Sequence, residues 1–242
     1  ITKDFLKNKC KNKYFPKIAC FGIAGPIKKK SAKITNLNWE ISELNLKNYF
    51  QFEKVELIND FAVLIYGIPF LKNNQFKTLQ NNTKKINKFE GYHTIVGAGT
   101  GLGISRGIIS KTKIFVLPSE GGHIEFAPKT DEEWELKQWI KNYLNIERVS
   151  YERIISGEGL SNIAKWKFSK EDIRDHPFKH YLEEAKKSNI IEKSLAGKIC
   201  QLAKEGDPLM AEIETLWFNS YSSFIGDLAV PVSYTHLRAH ET

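Results

Sequence analysis

A glycine-rich turn between two strand patterns decides how this chain can fold. Residues 93–110 read HTIVGAGTGLGISRGIIS. The apolar runs His93–Ala98 and Gly103–Ser110 predict β-strands on either side of the glycines. Other short apolar runs predict strands at residues 17–23, at Val55–Ile58 and at Lys113–Leu117.

The pattern becomes helical after these strands. Thr130 and Glu133 form a capping box ahead of a periodic apolar stretch. Asp207-Pro208 supplies an N-cap and a first-turn proline for a long helix. The predicted apolar face of that helix consists of Leu209, Ile213, Leu216, Tyr221, Phe224 and Leu228. Strands first and helices later indicate an α/β protein with a helical half.

The composition is that of an ordinary globular protein. The 242 residues are 41% hydrophobic and 26% charged, and no apolar run approaches the roughly 20 residues of a membrane span. We therefore expect no membrane partner. Cys10, Cys20 and Cys200 lie far apart, which argues against a disulfide framework or a structural zinc site and favours a reducing cytoplasm.

The net charge of +8 raises nucleic-acid binding as an alternative. The lysines do not gather into one stripe, however, but are scattered among asparagines, in runs such as Lys28–Lys30 and Asn81–Lys85. Such runs are typical of solvated loops. We therefore expect no nucleic-acid partner and keep a basic nucleic-acid-binding module as the weakest alternative.

The glycine cluster Gly97–Gly103 predicts a phosphate-binding turn. Glycines let backbone amides approach a phosphate closely, and Thr100 adds a hydroxyl donor. The cluster is not a Rossmann fingerprint, because Leu102 stands where the motif needs its last glycine, and no Gly-Lys-Ser/Thr follows to make a P-loop. The alternative is a tight hairpin turn, for which one glycine would suffice.

Asn59-Asp60 lies at the end of a predicted strand, directly before the apolar stretch Phe61–Ile68. Taken alone, Asp60 is best interpreted as a helix N-cap. The functional interpretation is a carboxylate at the mouth of a parallel sheet, where open α/β folds bind ligands. The two interpretations are compatible.

A second polar group follows the last predicted strand. Glu120 and His123 flank Gly121-Gly122, and polar groups presented from such a turn can bind the hydroxyls of a sugar. The glycines argue against a metalloprotease helix, and we assign no metal ligands. For His123, the alternative to sugar binding is a position in a solvated turn. Glu152, further along the chain, is by itself best interpreted as a residue in the first turn of a helix.

Together these segments resemble the bacterial glucokinase family, the hexokinase-like group that lacks a zinc cluster. The matching stretches, in the family's order and spacing, are 23–26 (IAGP), 34–37 (ITNL) with Trp39, 57–62 (LINDFA), 66–69 (YGIP), 97–103 (GAGTGLG), 117–123 (LPSEGGH) with 126–128 (FAP), and 149–153 (VSYER) with Ser156-Gly157. The resemblance implies an actin-like, ribonuclease-H-like fold of two α/β domains, and transfer of the γ-phosphoryl group of ATP to the 6-hydroxyl of glucose.

The resemblance also implies a role for each matching residue. Asp60 matches the catalytic base that accepts the proton of the sugar 6-hydroxyl. The remaining glucose ligands match Asn59, Glu120, His123 and Glu152, and Asn36 lies near the sugar by the same analogy. Gly99, Thr100 and Gly101 match the loop that contacts the phosphates of ATP, which binds with Mg²⁺. The family resemblance suggests a homodimer.

The resemblance further implies that the chain is truncated at both ends. The family's N-terminal phosphate loop is missing, and its adenosine-binding segment should follow residues 226–229 (GDLA). We interpret residues 1–70 as the remainder of a small domain, 71–230 as a large domain, and 231–242 as a non-native, adapter-like tail. Residues 1–230 by themselves are expected to be nearly inactive.

Two other functions remain open on the sequence. A related sugar kinase with another preferred hexose would share these motifs. A non-catalytic sugar-binding regulator on the same fold should lose the carboxylate at position 60 or carry a helix-turn-helix. Asp60 is present, and no helix-turn-helix pattern is found in these residues. A zinc-containing relative is disfavoured because the cysteine cluster is missing.

Overall fold

A computed structural model describes residues 2–10, 15–34, 39–77, 79, 89–170, 176–185, 187 and 189–230. Two sequence predictions lie outside these residues: the sugar contact of Asn36 and the non-native tail at 231–242. Within the described ranges, no helix is both long and apolar enough to cross a membrane.

The residue contacts divide the chain into two compact units. The first unit comprises residues 1–91 and 106–118, and the second comprises 92–105 and 119–242. The expected domain boundary near residue 70 stays a prediction.

A parallel strand pair and one small sheet organise the first unit. Its helices and strands are α1 (Thr2–Cys10), β1 (Ile18–Ile23), β2 (Ile27–Lys28), β3 (Ser31–Ile34), β4 (Trp39–Ser42), α2 (Glu43–Phe50), β5 (Lys54–Asn59) and α3 (Asp60–Gly67). Strands β1 and β5 run parallel, with Ile23 opposite Asn59, and β2, β3 and β4 form an antiparallel sheet. Ile23, Ala32 and Leu57 form a small buried cluster.

The predicted strands around the glycines are confirmed. Strands β6 (Gly91–Ala98), β7 (Leu102–Ile109) and β8 (Ile114–Ser119) form one sheet in that order. The glycine cluster therefore joins strand to strand, as the sequence indicates. Leu102 and Ile104 at the start of β7 are buried in the core of the second unit.

Within the residues that the structure describes, helices build most of the second unit. They are α4 (Asp131–Leu144), α5 (Gly157–Lys170), α6 (Phe178–Ala185), α7 (Asn189–Lys204) and α8 (Pro208–Ala229). Their apolar faces enclose a core whose largest fully buried side chains include Trp166, Phe126, Phe178 and Phe224. The buried Lys167 on α5 donates hydrogen bonds to Glu132 on α4 and Glu212 on α8, which ties three helices together.

Both predicted helix starts are confirmed. The Thr130 hydroxyl accepts a hydrogen bond from the Glu133 amide at 3.1 Å, and the Asp207 carboxylate accepts one from the Met210 amide at 3.0 Å. On α8, four of the six predicted face residues are buried: Ile213, Leu216, Phe224 and Leu228. Leu209 and Tyr221 are partly buried against the same core.

Candidate active site

The first part of the candidate site lies where β5 runs into α3. Asn59 ends the strand, and its side-chain Oδ1 accepts hydrogen bonds from the amides of Phe61 at 3.0 Å and Ala62 at 3.1 Å. These bonds satisfy two of the helix's free amides, so Asn59 is the N-cap of α3. The Asn59 Nδ2 lies 3.5 Å from the Gly25 carbonyl oxygen, at the limit of a hydrogen bond.

Asp60 occupies the first helical position rather than the cap. The prediction that Asp60 is the N-cap was therefore wrong. Asn59 is the N-cap, because its side chain accepts hydrogen bonds from the amides two and three residues further along the chain. Asp60 is half-buried, and its Oδ1 lies 3.0 Å from the Phe61 amide nitrogen. The helix N-terminus carries partial positive charge, so it is a favourable place for a carboxylate.

The second part of the site lies in the second unit, where two chain segments pair. The amide of Tyr151 donates to the Ile124 carbonyl at 2.9 Å, and the amide of Phe126 donates to the Val149 carbonyl at 2.8 Å. Single-turn 3₁₀ helices stand beside this pairing at Gly121–His123 and Tyr151–Arg153. The pairing therefore brings Glu120 and His123 next to Glu152.

The imidazole of His123 lies between two carboxylates. Its Nδ1 is 3.5 Å from Glu120 Oε2, and its Nε2 is 3.7 Å from Glu152 Oε1. The Glu120 and His123 side chains are 63% and 58% exposed, whereas Glu152 is 29% exposed. Exposed acceptors on both sides of a ring that can donate or accept a hydrogen bond suit a ligand with several hydroxyl groups.

Little space surrounds Gly121 and Gly122, and a glycine is required at 122 because its neighbour there is backbone. A Cβ atom at Gly122 would lie 2.2 Å from the Leu102 carbonyl oxygen, and one at Gly121 would lie 2.9 Å from Ile104 Cδ1. The turn carrying Glu120 and His123 therefore packs directly against the start of β7. Larger residues at these two positions would push the turn away from the strand.

Glu152 also contacts the glycine turn, which we define as Gly99–Gly101. Glu152 Oε2 accepts a hydrogen bond from the amide of Leu102, the residue after the turn, at 2.8 Å. The turn is closed by a bond from the Gly99 amide to the Gly101 carbonyl at 2.8 Å. Thr100 is exposed, so its hydroxyl is available to a phosphate, whereas the Gly99 amide is already used in the bond to Gly101.

A tyrosine of α8 supports the strand that leads into the turn. Tyr221 hydrogen-bonds the backbone of Ala98, and burial raises the pKa of its phenol. Burial also raises the pKa of Tyr151 beside Glu152, and the nearby Asp227 carboxylate adds to that shift. Both phenols are therefore neutral hydrogen-bonding groups at ordinary pH.

The structure groups the predicted residues in two sets. Glu120, His123, Glu152 and the glycine turn come together in the second unit, whereas Asn59 and Asp60 belong to the first. Asn36 lies outside the described residues. Ser156 has no role in the sequence predictions, although a serine directly before a helix is a common N-cap residue.

Comparison with known proteins identifies the family. A sequence model of the glucokinase family matches residues 1–235. The chain belongs to the glucokinase family. It is 34% identical to a glucokinase of Nostoc punctiforme over 225 residues, which cover 90% of this chain and 65% of that one. It is 32% identical to a glucokinase of Synechocystis over 221 residues, or 88% and 61% of the two chains.

Solved glucokinase structures share the fold. A glucokinase from an Antarctic psychrotroph superposes with a TM-score of 0.69 at 27% identity, over 96% of this chain and 65% of that one. A glucokinase of Balamuthia mandrillaris, solved in complex with glucose, gives 0.67 at 25% identity, over 89% and 61%. The expected α/β sugar-kinase fold is thereby confirmed. The chain spans just under two thirds of the length of these glucokinases.

Proposed function

We propose that the full-length protein is a glucokinase, which transfers the γ-phosphoryl group of ATP to the 6-hydroxyl of glucose. The observation that carries this proposal is the arrangement of Glu120, His123 and Glu152 directly beside the glycine turn, in a chain of the glucokinase family. Groups that suit a sugar and a turn that suits phosphates then adjoin one another, as a kinase requires.

Asp60 is the proposed catalytic base. Phosphoryl transfer depends mainly on positioning and on neutralising charge, so a single well-placed carboxylate suffices to accept the proton of the attacking hydroxyl. The Asp60 carboxylate lies in the first turn of α3, where the helix dipole attracts negative charge. Because Asn59 provides the cap, the Asp60 side chain is not needed to begin the helix.

The remaining polar side chains are the proposed sugar ligands: Asn59, Glu120, His123, Glu152 and Asn36. Asn59 Oδ1 already accepts two backbone hydrogen bonds, so this residue would offer the sugar its Nδ2 donor. The two carboxylates and the imidazole of the second unit would accept from and donate to other hydroxyls. An analogue that lacked one of these hydroxyls would leave polar groups unpaired and would bind more weakly.

The glycine turn is the proposed contact for the phosphates of ATP, through Gly99, Thr100 and Gly101. Mg²⁺ would neutralise charge on these phosphates. Among the described residues, no group of three or more His, Cys, Asp or Glu side chains could hold a metal ion. In kinases Mg²⁺ is usually bound by the substrate phosphates together with one or two carboxylates.

We further propose that the protein works in the cytoplasm, as a homodimer by analogy with its family. The three cysteines, Cys10, Cys20 and Cys200, are unpaired, which suits a reducing compartment. Size measurement of the full-length protein in solution tests the dimer.

A panel of hexoses tests the proposed activity. The full-length protein is incubated with ATP, Mg²⁺ and glucose, mannose, fructose or N-acetylglucosamine, and ADP release is measured. We expect the highest kcat/KM with glucose. A clear preference for another hexose would assign a related sugar kinase instead. Glucose binding without turnover of any sugar would point to a sugar-binding regulator.

A further inference from the structure

The two oxygens of the Glu152 carboxylate face two different neighbours. Its Oε1 faces His123 Nε2 at 3.7 Å, within the proposed sugar set. Its Oε2 accepts the Leu102 amide at 2.8 Å, at the end of the glycine turn. A side chain proposed to hold the sugar therefore also fixes the turn proposed to hold phosphates.

The packing around Gly101 shows how close this contact is. A Cβ atom at Gly101 would lie 2.6 Å from Glu152 Oε2, whereas one at Gly99 would meet nothing within 4 Å. Neither glycine has φ in the left-handed region. Alanine is therefore acceptable to the backbone at both positions, but only at 101 does it displace the carboxylate.

Ser156 forms a hydrogen bond to the backbone of Glu152. It is fully buried, its Oγ donates to the Glu152 carbonyl at 2.7 Å, and it accepts from the Gly159 amide at 3.0 Å. Its own carbonyl accepts from Trp217 Nε1 at 3.1 Å. The next residue, Gly157, donates its amide to the Gly99 carbonyl at 2.8 Å. The segment Glu152–Gly157 therefore makes hydrogen bonds at both ends of the glycine turn.

We propose that Glu152 couples sugar binding to nucleotide binding, and that Ser156 is the positioning residue that makes this coupling effective. The inference rests on the proposed function of the two neighbouring sites. A hydroxyl bound to Glu152 fixes the carboxylate and, through the Leu102 amide, orders the turn. Phosphates bound to the turn fix the carboxylate in the same way, so each substrate improves the binding of the other by the same factor.

The first test asks whether the turn controls the sugar. Glucose dissociation constants are measured without nucleotide, by calorimetry, for the full-length protein and for Gly101→Ala and Gly99→Ala. We expect Gly101→Ala to weaken glucose binding about tenfold, because it displaces a charged hydrogen-bond acceptor. Gly99→Ala should leave the constant within about twofold, since nothing surrounds the new methyl group. Equal effects of the two substitutions would overturn the proposal.

The second test measures the coupling itself. The glucose dissociation constant is determined with and without a non-hydrolysable ATP analogue, which should tighten binding about fivefold or more in the parent. Ser156→Ala should bring this factor close to one. The matched control is Ser161→Ala: Ser161 is also buried, and its hydroxyl donates to the Gly157 carbonyl at 3.1 Å, not to Glu152. The control should keep the parental factor.

The outcomes separate this inference from the proposed function. Hexose phosphorylation by a parent that binds glucose and the analogue independently would overturn the coupling and leave the kinase intact. Coupled binding that Ser156→Ala abolishes would support the coupling even in a protein that phosphorylates no hexose. Loss of the factor in both serine variants would reduce Ser156 to a structural role and overturn its assignment. If Ser156→Ala does not fold, the glycine pair decides.

Discussion

The two units support their candidate residues in different ways. In the first, Asp60 stands at the start of one helix, and its neighbour Asn59 makes the capping bonds. In the second, Glu120, His123 and Glu152 belong to a network that reaches the glycine turn and the core helices. Asp60 can therefore be replaced with little loss of stability, whereas changes in the second unit affect both binding and packing.

The largest expected effect on stability is at Gly122 in the second unit. Gly122→Ala would place a methyl group 2.2 Å from the Leu102 carbonyl oxygen, which belongs to the backbone and cannot rotate away. We expect a loss of about 3 kcal/mol in the free energy of unfolding, at the upper end of overpacking costs. Urea unfolding checks this, with Gly226→Ala in an open position of α8 as the control. A stable Gly122→Ala variant would contradict the tight packing of the two segments.

Alkaline pH should weaken the second unit. Burial raises the pKa of Tyr151 and Tyr221. Burial by itself lowers the pKa of Lys167, but the hydrogen bonds that Lys167 donates to Glu132 and Glu212 outweigh this effect and raise it. For each group the folded state keeps its proton longer than the unfolded state. The stability is therefore complete below about pH 10 and is lost as pH rises through the folded-state pKa.

Urea unfolding between pH 9 and pH 11, followed by tryptophan fluorescence, measures this loss. Replacement of the two phenols by phenylalanine (Tyr151→Phe and Tyr221→Phe) should make the pH dependence shallower, because two of the groups with a raised pKa are removed. An unchanged pH dependence in the double variant would show that these phenols do not link pH to folding.

The smallest expected effect is at the cap of α3. Asn59→Ala removes the acceptor of two backbone amides and should lower stability by about 1 kcal/mol. Asn59→Asp keeps a good capping oxygen and should be close to neutral for stability. Thermal unfolding of the two variants separates the capping role of Asn59 from its proposed sugar contact, because aspartate can replace asparagine only in the capping role. Equal losses in both variants would contradict the assignment of Asn59 as the cap.

The sequence predicts those features that depend on local patterns. The strands beside the glycines, the Thr130 and Asp207 caps and most of the buried face of α8 follow from residue type and spacing, and the structure confirms them. Helix α5 was not predicted, because its buried face includes polar residues such as Asn162 and Lys167, which break the apolar period. Their partners come from elsewhere in the chain, including Glu212 on α8.

The connections within the candidate site could not be predicted in the same way. The bond from the Leu102 amide to Glu152 joins residues 50 positions apart, and the Trp217 bond to Ser156 joins residues 61 apart. No local pattern encodes such a pairing, since it depends on how the strands and helices pack. Resemblance to a family indicated which residues matter, but it did not indicate that Glu152 contacts the glycine turn.

The most direct test of the account is glucose 6-phosphate formation by the full-length protein and by two matched aspartate variants. Asp60 and Asp131 are both the first residue of a helix whose cap is provided by the preceding residue, Asn59 or Thr130. We expect Asp60→Ala to lower kcat by roughly 100-fold or more, with glucose binding retained, and Asp131→Ala to keep the parental kcat. Parental turnover in Asp60→Ala would contradict the assignment of Asp60 as the base.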